Sequence, residues 1–183
     1  YSFSNFEIKQ KKYNKNPLEE TYRLIEESVK KMMIADVEIG CFLSGGIDSS
    51  LVASIMKKNS TKKIKTFSIG FKEKQYDESK YAKKIADFLQ TDHHQLIISN
   101  NDLLDNIEKV SSIYDEPFGD SSFLPTFLLS KFASKYVKVV LSGDGGDETF
   151  LGYNRYYYAK RLEKFRKYTP NFFRKIISSF LSS

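Results

Sequence analysis

The chain has 183 residues, 40% of them hydrophobic and 28% charged, which is enough for one globular core and too little for two comfortable ones. That balance excludes a disordered tail, and no apolar run is long enough to span a bilayer. The net charge of +6 is spread over lysines along the whole chain, which reads as solvated faces; no nucleic-acid partner is expected from it.

Residues 1–16 are polar with interspersed aromatics and read as a linker ahead of a domain over 17–183. The chain begins at Tyr1 rather than Met and reads as a piece of a longer protein. A single cysteine, Cys41, allows no internal disulfide and suits a reducing cytoplasm. Asn16-Pro17-Leu18-Glu19 has the cap, first-turn proline and acidic third residue of a helix start. Leu18, Tyr22, Ile25, Val29 and Met32 then follow at steps of three and four, predicting one apolar helical face.

Glu38–Leu43 reads as a strand bounded by Ser and Gly, followed by a helix over about Ser49–Lys58 with Leu51, Val52 and Ile55 inward. Ile64–Phe71 is a second strand. Asp77 caps a helix to about Leu89, with Tyr81, Ile85 and Phe88 inward. His93–Ile98 is a third strand, and Asn101 starts another helix. A loop containing Asp115-Glu116-Pro117 precedes a helix over about Pro125–Lys135. Val137–Leu141 is a fourth strand, and the rest is helical with a break near Thr169-Pro170. Alternation of strand and helix predicts an α/β, Rossmann-like doubly wound fold: a mainly parallel sheet with helices on both faces. Ligands of such sheets bind beyond the carboxyl ends of the strands.

Three strand ends carry chemistry. After the first comes Ser44-Gly45-Gly46-Ile47-Asp48-Ser49-Ser50, where two glycines let the backbone approach a polyanion and three hydroxyls can donate to phosphate oxygens. The next helix turns its free N–H groups to the same place. Asp48 would repel phosphate unless a cation stood between them, which points to Mg²⁺. The spacing and lysine of the kinase-type P-loop are missing. After the last strand comes Ser142-Gly143-Asp144-Gly145-Gly146-Asp147-Glu148, whose carboxylates suit a metal or acid–base cluster, although a glycine turn with a capping Asp is an equal reading. Gly70, at the end of the second strand, would let a flat ligand lie on the backbone. Cys41 in its strand is a packing residue, and the adjacent His93 and His94 face opposite sides and cannot chelate one metal.

The Ser44–Ser50 loop resembles the SGGxDS loop of the ATP pyrophosphatase superfamily, which grips pyrophosphate while ATP is cut between its α and β phosphates. The wider series of motifs resembles the synthetase domain of the asparagine synthetase family. That series is DVEIGCFL at 36–43 with SGGIDSS, SIGF at 68–71, YDES at 76–79, TDHH at 91–94, YDEPFGDSS at 114–122, PTFLLS at 125–130, LSGDGGDE at 141–148 and GYNRY at 152–156. The resemblance implies the adenine nucleotide alpha hydrolase-like fold, with ATP and Mg²⁺ as cofactors. It places Leu43 and Ile69 at adenosine through backbone and side chain, Ser142 and Gly143 on the nucleotide's other side, and Ser44, Gly45, Gly46, Ser49 and Ser50 on pyrophosphate. It places Asp48 and Asp147 at Mg²⁺, and Asp144 where a carboxylate assists acyl-adenylate formation. Asp115, Glu116, Ser121 and Ser122 would border the amino-acid pocket.

The implied reaction joins ammonia to aspartate through β-aspartyl-AMP, with a glutaminase in cis or trans as the ammonia source and a homodimer as one possible assembly. No glutaminase motif occurs in this chain, so it is not expected to hydrolyse glutamine itself. Lys160 and Lys164 match no motif for the family's adenylation-site lysine. Amidation of another carboxylate such as a sugar acid, modification of tRNA, and nucleotide binding without catalysis are the competing readings.

Overall fold

The computed structural model describes residues 16–73, 77–113, 116 and 119–169. Asn16 caps helix α1, Pro17–Met32, its side chain accepting the Leu18 N–H at 3.1 Å, and Pro17 costs nothing in a turn whose N–H groups are unpaired anyway. Strand β1 is Ile39–Phe42 and helix α2 is Ile47–Asn59. Strand β2, Lys65–Phe71, helix α3, Ser79–Leu89, and strand β3, Asp92–Ile98, follow. Two short helices, α4 at Asn100–Leu104 and α5 at Ile107–Ser111, precede helix α6, Phe123–Ala133, and strand β4, Val139–Leu141. Helices α7, Gly146–Phe150, and α8, Asn154–Tyr168, close the described chain.

The sheet is wholly parallel in the order β3-β2-β1-β4, so the direction of strand addition reverses between β1 and β4. Side chains alternate across it. Cys41 and Leu43 enter a core with Val29, Ala53, Ile55, Met56, Ala82 and Ala86, which covers one face with α1, α2 and α3. Phe67, Leu129, Ala133 and Val137 form the core on the other face beneath α6. Helices thus lie on both faces, as the alternation of elements predicts. The thiol of Cys41 is fully buried, and desolvation pushes its pKa up to about 12.

Several sequence expectations shift. In α1 only Val29 is buried, with Ile25 packed beside it, while Leu18 is 77% exposed, so the apolar stripe meets the core only through its second half. In α3 the inward residues are Ser79, Ala82 and Ala86, whereas Tyr81 and Phe88 are 61% and 83% exposed. Small residues bring this helix close to the sheet, and that turns the large aromatics outward. In α2, Ile55 is buried as expected, but Ala53 and Met56 are buried more deeply than Leu51 and Val52. Helix α8 carries Arg155, Lys160, Arg161, Lys164 and Lys167, with Glu163 as an acidic residue among them.

Two compact units divide the chain after Ser142. The first holds the sheet. In the second, the described residues are α7, α8 and the turns that join them.

Candidate nucleotide site

The loop after β1 is organised before any ligand arrives. The Leu43 N–H donates to the Phe67 carbonyl at 2.8 Å, so β1 remains paired with β2 up to the loop. The Leu43 side chain is core, 1% exposed, and therefore only its backbone faces the strand end; the expected side-chain contact with adenosine is not available there. Gly45 takes a left-handed φ of +85°, and a Cβ on it would come within 2.6 Å of the Ala82 backbone nitrogen and 2.7 Å of the Tyr81 carbonyl carbon. Only glycine fits a turn pressed this closely against α3.

Ser49 holds the turn from inside. Its Oγ accepts the Ser44 N–H at 3.2 Å, lies 3.0 Å from Ser44 Oγ and can donate to the Gly46 carbonyl at 3.3 Å. Ser44 Oγ accepts the Gly46 N–H at 3.2 Å. Ser49 is 8% exposed whereas Ser44 is exposed, so Ser44 offers the hydroxyl of this pair that an anion could reach. Gly46 caps α2 without a side-chain hydrogen bond, so the first N–H groups of the helix stay available. The Ser50 hydroxyl is buried with no hydrogen-bond partner in the structure. Asp48 lies in the first turn of α2 because the helix begins at Ile47, two residues before the sequence suggests.

Ser142 follows β4, whose Leu141 pairs with Cys41 of β1, so Ser142 emerges on the same sheet edge as Leu43 and Ser44. Ile69 lies near the end of β2 on the same edge and packs on the α6 side. Gly70 corrects an expectation: a Cβ there would meet Ile97 Cδ1 at 2.7 Å, Ser79 Cβ at 2.8 Å and Asp77 Oδ1 at 2.9 Å, so the start of α3, rather than a flat ligand, fills the space the glycine leaves. Asp77 itself stands one residue before the N-cap Glu78 and accepts the Ser79 N–H at 3.1 Å.

In the second unit, Gly143, Asp144 and Asp147 belong to the turn that leads into and through α7, with Gly145 left-handed at φ +86°. The Asp147 carbonyl accepts the Gly152 N–H at 2.9 Å, and a Cβ on Gly152 would fall 1.9 Å from Asp147 Oδ1. The Tyr153 hydroxyl donates to Glu148 Oε1 at 2.6 Å. That bond holds the Glu148 carboxyl below its usual range and pushes Tyr153 up to about 12. The Arg155 guanidinium lies 4.1 Å from the centre of the Tyr153 ring. Of the residues placed beside the amino-acid pocket, Asp115 lies outside the described residues, while Glu116, Ser121 and Ser122 are exposed.

Among the described residues no three His, Cys, Asp or Glu side chains gather into a metal centre. Asp48 in the first unit and Asp147 in the second are each hard oxygen donors of the kind Mg²⁺ takes. An open concavity of about 430 Å³, lined by Met33, Asp36, Met56, Lys62 and Lys63, lies at the amino ends of β1 and β2, the wrong edge for ligands of a parallel sheet. Among the described residues no helix is long and apolar enough to cross a membrane.

The sequence model of the Asparagine synthase family matches residues 20–182. A Methanocaldococcus jannaschii protein named "Putative asparagine synthetase (glutamine-hydrolyzing) 2" is 46% identical over 166 residues, 90% of this chain and 32% of that protein. Asparagine synthetase (glutamine-hydrolyzing) 1 of Bacillus subtilis is 38% identical over 143 residues, 78% of this chain and 22% of that protein. The chain therefore spans a third or less of the length of these curated relatives. Among solved structures, an NMN synthetase from Francisella tularensis aligns with a TM-score of 0.52 at 20% identity, over 76% of this chain and 59% of that one, a likeness of fold.

Proposed function

The chain belongs to the asparagine synthase family, and from that premise we propose that it activates a carboxylate with ATP and transfers it to ammonia as an amide. The observation that carries this reading is the loop at Ser44–Ser50: a pre-shaped turn with a left-handed Gly45, opening onto the uncapped N-terminus of a 13-residue helix at the point where the sheet changes direction.

The substrate is aspartate. Its β-carboxylate oxygen attacks the α-phosphorus of ATP, the bond to the β-phosphate oxygen breaks, and pyrophosphate leaves. Ammonia then adds to the carbonyl of β-aspartyl-AMP, AMP departs with the bonding pair, and the amine gives up a proton to form asparagine. A free carboxylate is a poor acyl donor, and the adenylate supplies the leaving group. Ser44, Gly45, Gly46 and Ser50, with the first N–H groups of α2, bind the pyrophosphate; their fixed dipoles face charge that grows as it leaves. Ser49 supports that grip from inside the turn. The Leu43 backbone, Ile69, Ser142 and Gly143 orient the adenosine. Asp144 is the carboxylate that assists acyl-adenylate formation. Asp48 and Asp147 are the proposed Mg²⁺ ligands, and the ion would offset phosphate charge. A glutaminase, in cis or in trans, supplies the ammonia.

The test is pyrophosphate release from ATP by the full-length protein with ammonium present. Aspartate, a panel of sugar acids or no acceptor would be compared, and asparagine measured. Release that depends on aspartate, with asparagine formed, supports the reading. Release with sugar acids alone moves the acceptor to that class. Tight binding of ATP with no release under any condition would sink the ligase reading.

A further inference from the structure

Asp77 lies outside the loop, yet it joins the end of one strand to the helix on which the loop rests. Its Oδ1 accepts the Ser79 N–H at 3.1 Å. The Ser79 hydroxyl and the Ser79 and Phe71 backbone amides near it hold its carboxyl below the usual range. Phe71 is the last residue of β2 and Ser79 the first of α3. Ser79 is buried, and both Ser79 Cβ and Asp77 Oδ1 sit over the bare Cα of Gly70. One carboxylate thus pins the first turn of α3 to the carboxyl end of β2.

The same first turn is what Gly45 leans on. The closest atoms to the space a Gly45 side chain would need are the Ala82 nitrogen, the Tyr81 carbonyl carbon and Tyr81 Cβ. Ala82 is fully buried, so this part of α3 has no freedom to slide outward without opening the core. A shift of the turn at Ser79 would reach Gly45 within one helical turn, through backbone in contact with backbone.

We infer that Asp77 is a positioning residue for the phosphate loop, acting through the Ser79–Ala82 turn of α3 on Gly45. It touches neither nucleotide nor reacting atoms. The inference rests on the nucleotide-site reading above for its functional consequence, while its structural content stands apart from it.

The experiment uses the full chain, with the variants Asp77→Ala, Asp77→Asn and, as a control at the other end of α3, Leu89→Ala. Leu89 packs against the core away from Gly45. Amide hydrogen exchange at Gly45 and Gly46 is read by NMR, and Mg-ATP binding by calorimetry. In Asp77→Ala the two loop amides exchange at least about fivefold faster and Mg-ATP binding weakens by a similar factor, the size expected for losing a cap-type hydrogen bond. Asp77→Asn, whose amide oxygen can still accept the Ser79 N–H, restores most of both. Leu89→Ala, at comparable loss of thermal stability, moves neither. Equal effects from Asp77→Ala and Leu89→Ala would overturn the inference in favour of a general structural role, and so would unchanged loop exchange in Asp77→Ala. If the parent chain fails to bind Mg-ATP while loop exchange still responds to Asp77, the nucleotide reading falls and the positioning role stands.

Discussion

Ser44 and Ser49 look interchangeable as letters and differ as groups. Ser49 is buried, and its hydroxyl is used within the turn, taking the Ser44 N–H and facing the Gly46 carbonyl. Ser44 is exposed at the mouth of the loop. Removing the Ser49 hydroxyl takes its acceptor from the part-buried Ser44 N–H, a loss of about 0.5–1.5 kcal/mol. Removing the Ser44 hydroxyl takes away the group proposed to meet phosphate and an acceptor for one exposed N–H. Ser49→Ala should therefore lower the urea midpoint clearly, while Ser44→Ala should leave it near that of the parent and weaken Mg-ATP binding about tenfold, the value of a good hydrogen bond to a charged group. Denaturation curves and calorimetry on both variants check this; equal stability losses would contradict it. The sequence shows that both are serines near a glycine turn. It does not show which one the core encloses, because that depends on where α2 begins and how deep its first turn sits.

The element most dependent on its neighbours is α3. Its small inward residues, Ser79, Ala82 and Ala86, set it close over β2 and β3, where Thr66 and Ser68 are buried hydroxyls. His93 bridges them, with Nδ1 2.9 Å from Thr66 Oγ1 and Nε2 3.1 Å from Ser68 Oγ, while Thr66 Oγ1 also meets Thr91 Oγ1 at 2.8 Å. On the opposite face His94 stacks on Phe67 and Tyr136, and its Nε2, 3.3 Å from Asp92 Oδ2 but poorly angled, is left without a hydrogen bond. The division of the two histidines between faces follows from strand alternation. Burial, then Lys83 and His94, lower the pKa of His93 below its ordinary 6.5, with Asp87 opposing. The sign follows: above that value the ring is neutral folded or unfolded and contributes nothing, whereas below it the unfolded chain takes the proton first and stability is lost as pH falls toward the folded pKa. The urea midpoint should drop as pH falls below about 6.5, and His93→Gln should flatten that drop. An identical slope in the variant would remove His93 from the account.

At the scale of the whole molecule, charge bears on which partner the chain meets. The net +6 is concentrated in part on α8, where Arg161 also lies 4.9 Å from the centre of the exposed Tyr157 ring. Exposed cations beside aromatic rings attract any polyanion at low ionic strength. Retention of tRNA by this chain should therefore be non-specific, visible in gel shifts at about 50 mM salt and gone by about 200 mM. Retention at the higher salt that discriminates among tRNAs would favour RNA modification over amide ligation.

What the sequence determined by itself is what short-range chemistry fixes. The glycine pair with its flanking serines defines a tight turn between β1 and α2. Alternating strands and helices require right-handed crossovers, and so a parallel sheet whose strand ends share an edge. Motif order identifies the family. Tertiary structure alone decided the rest. It chose alanines over Tyr81 and Phe88 for the inner face of α3, since a helix that lies close over a sheet admits only small side chains there. It gave the space at Gly70 to Asp77 and Ser79. It turned the Leu43 side chain into the core, leaving backbone alone at the strand end. Each of these depends on which surfaces meet across long stretches of chain, and no local pattern of residue types records that.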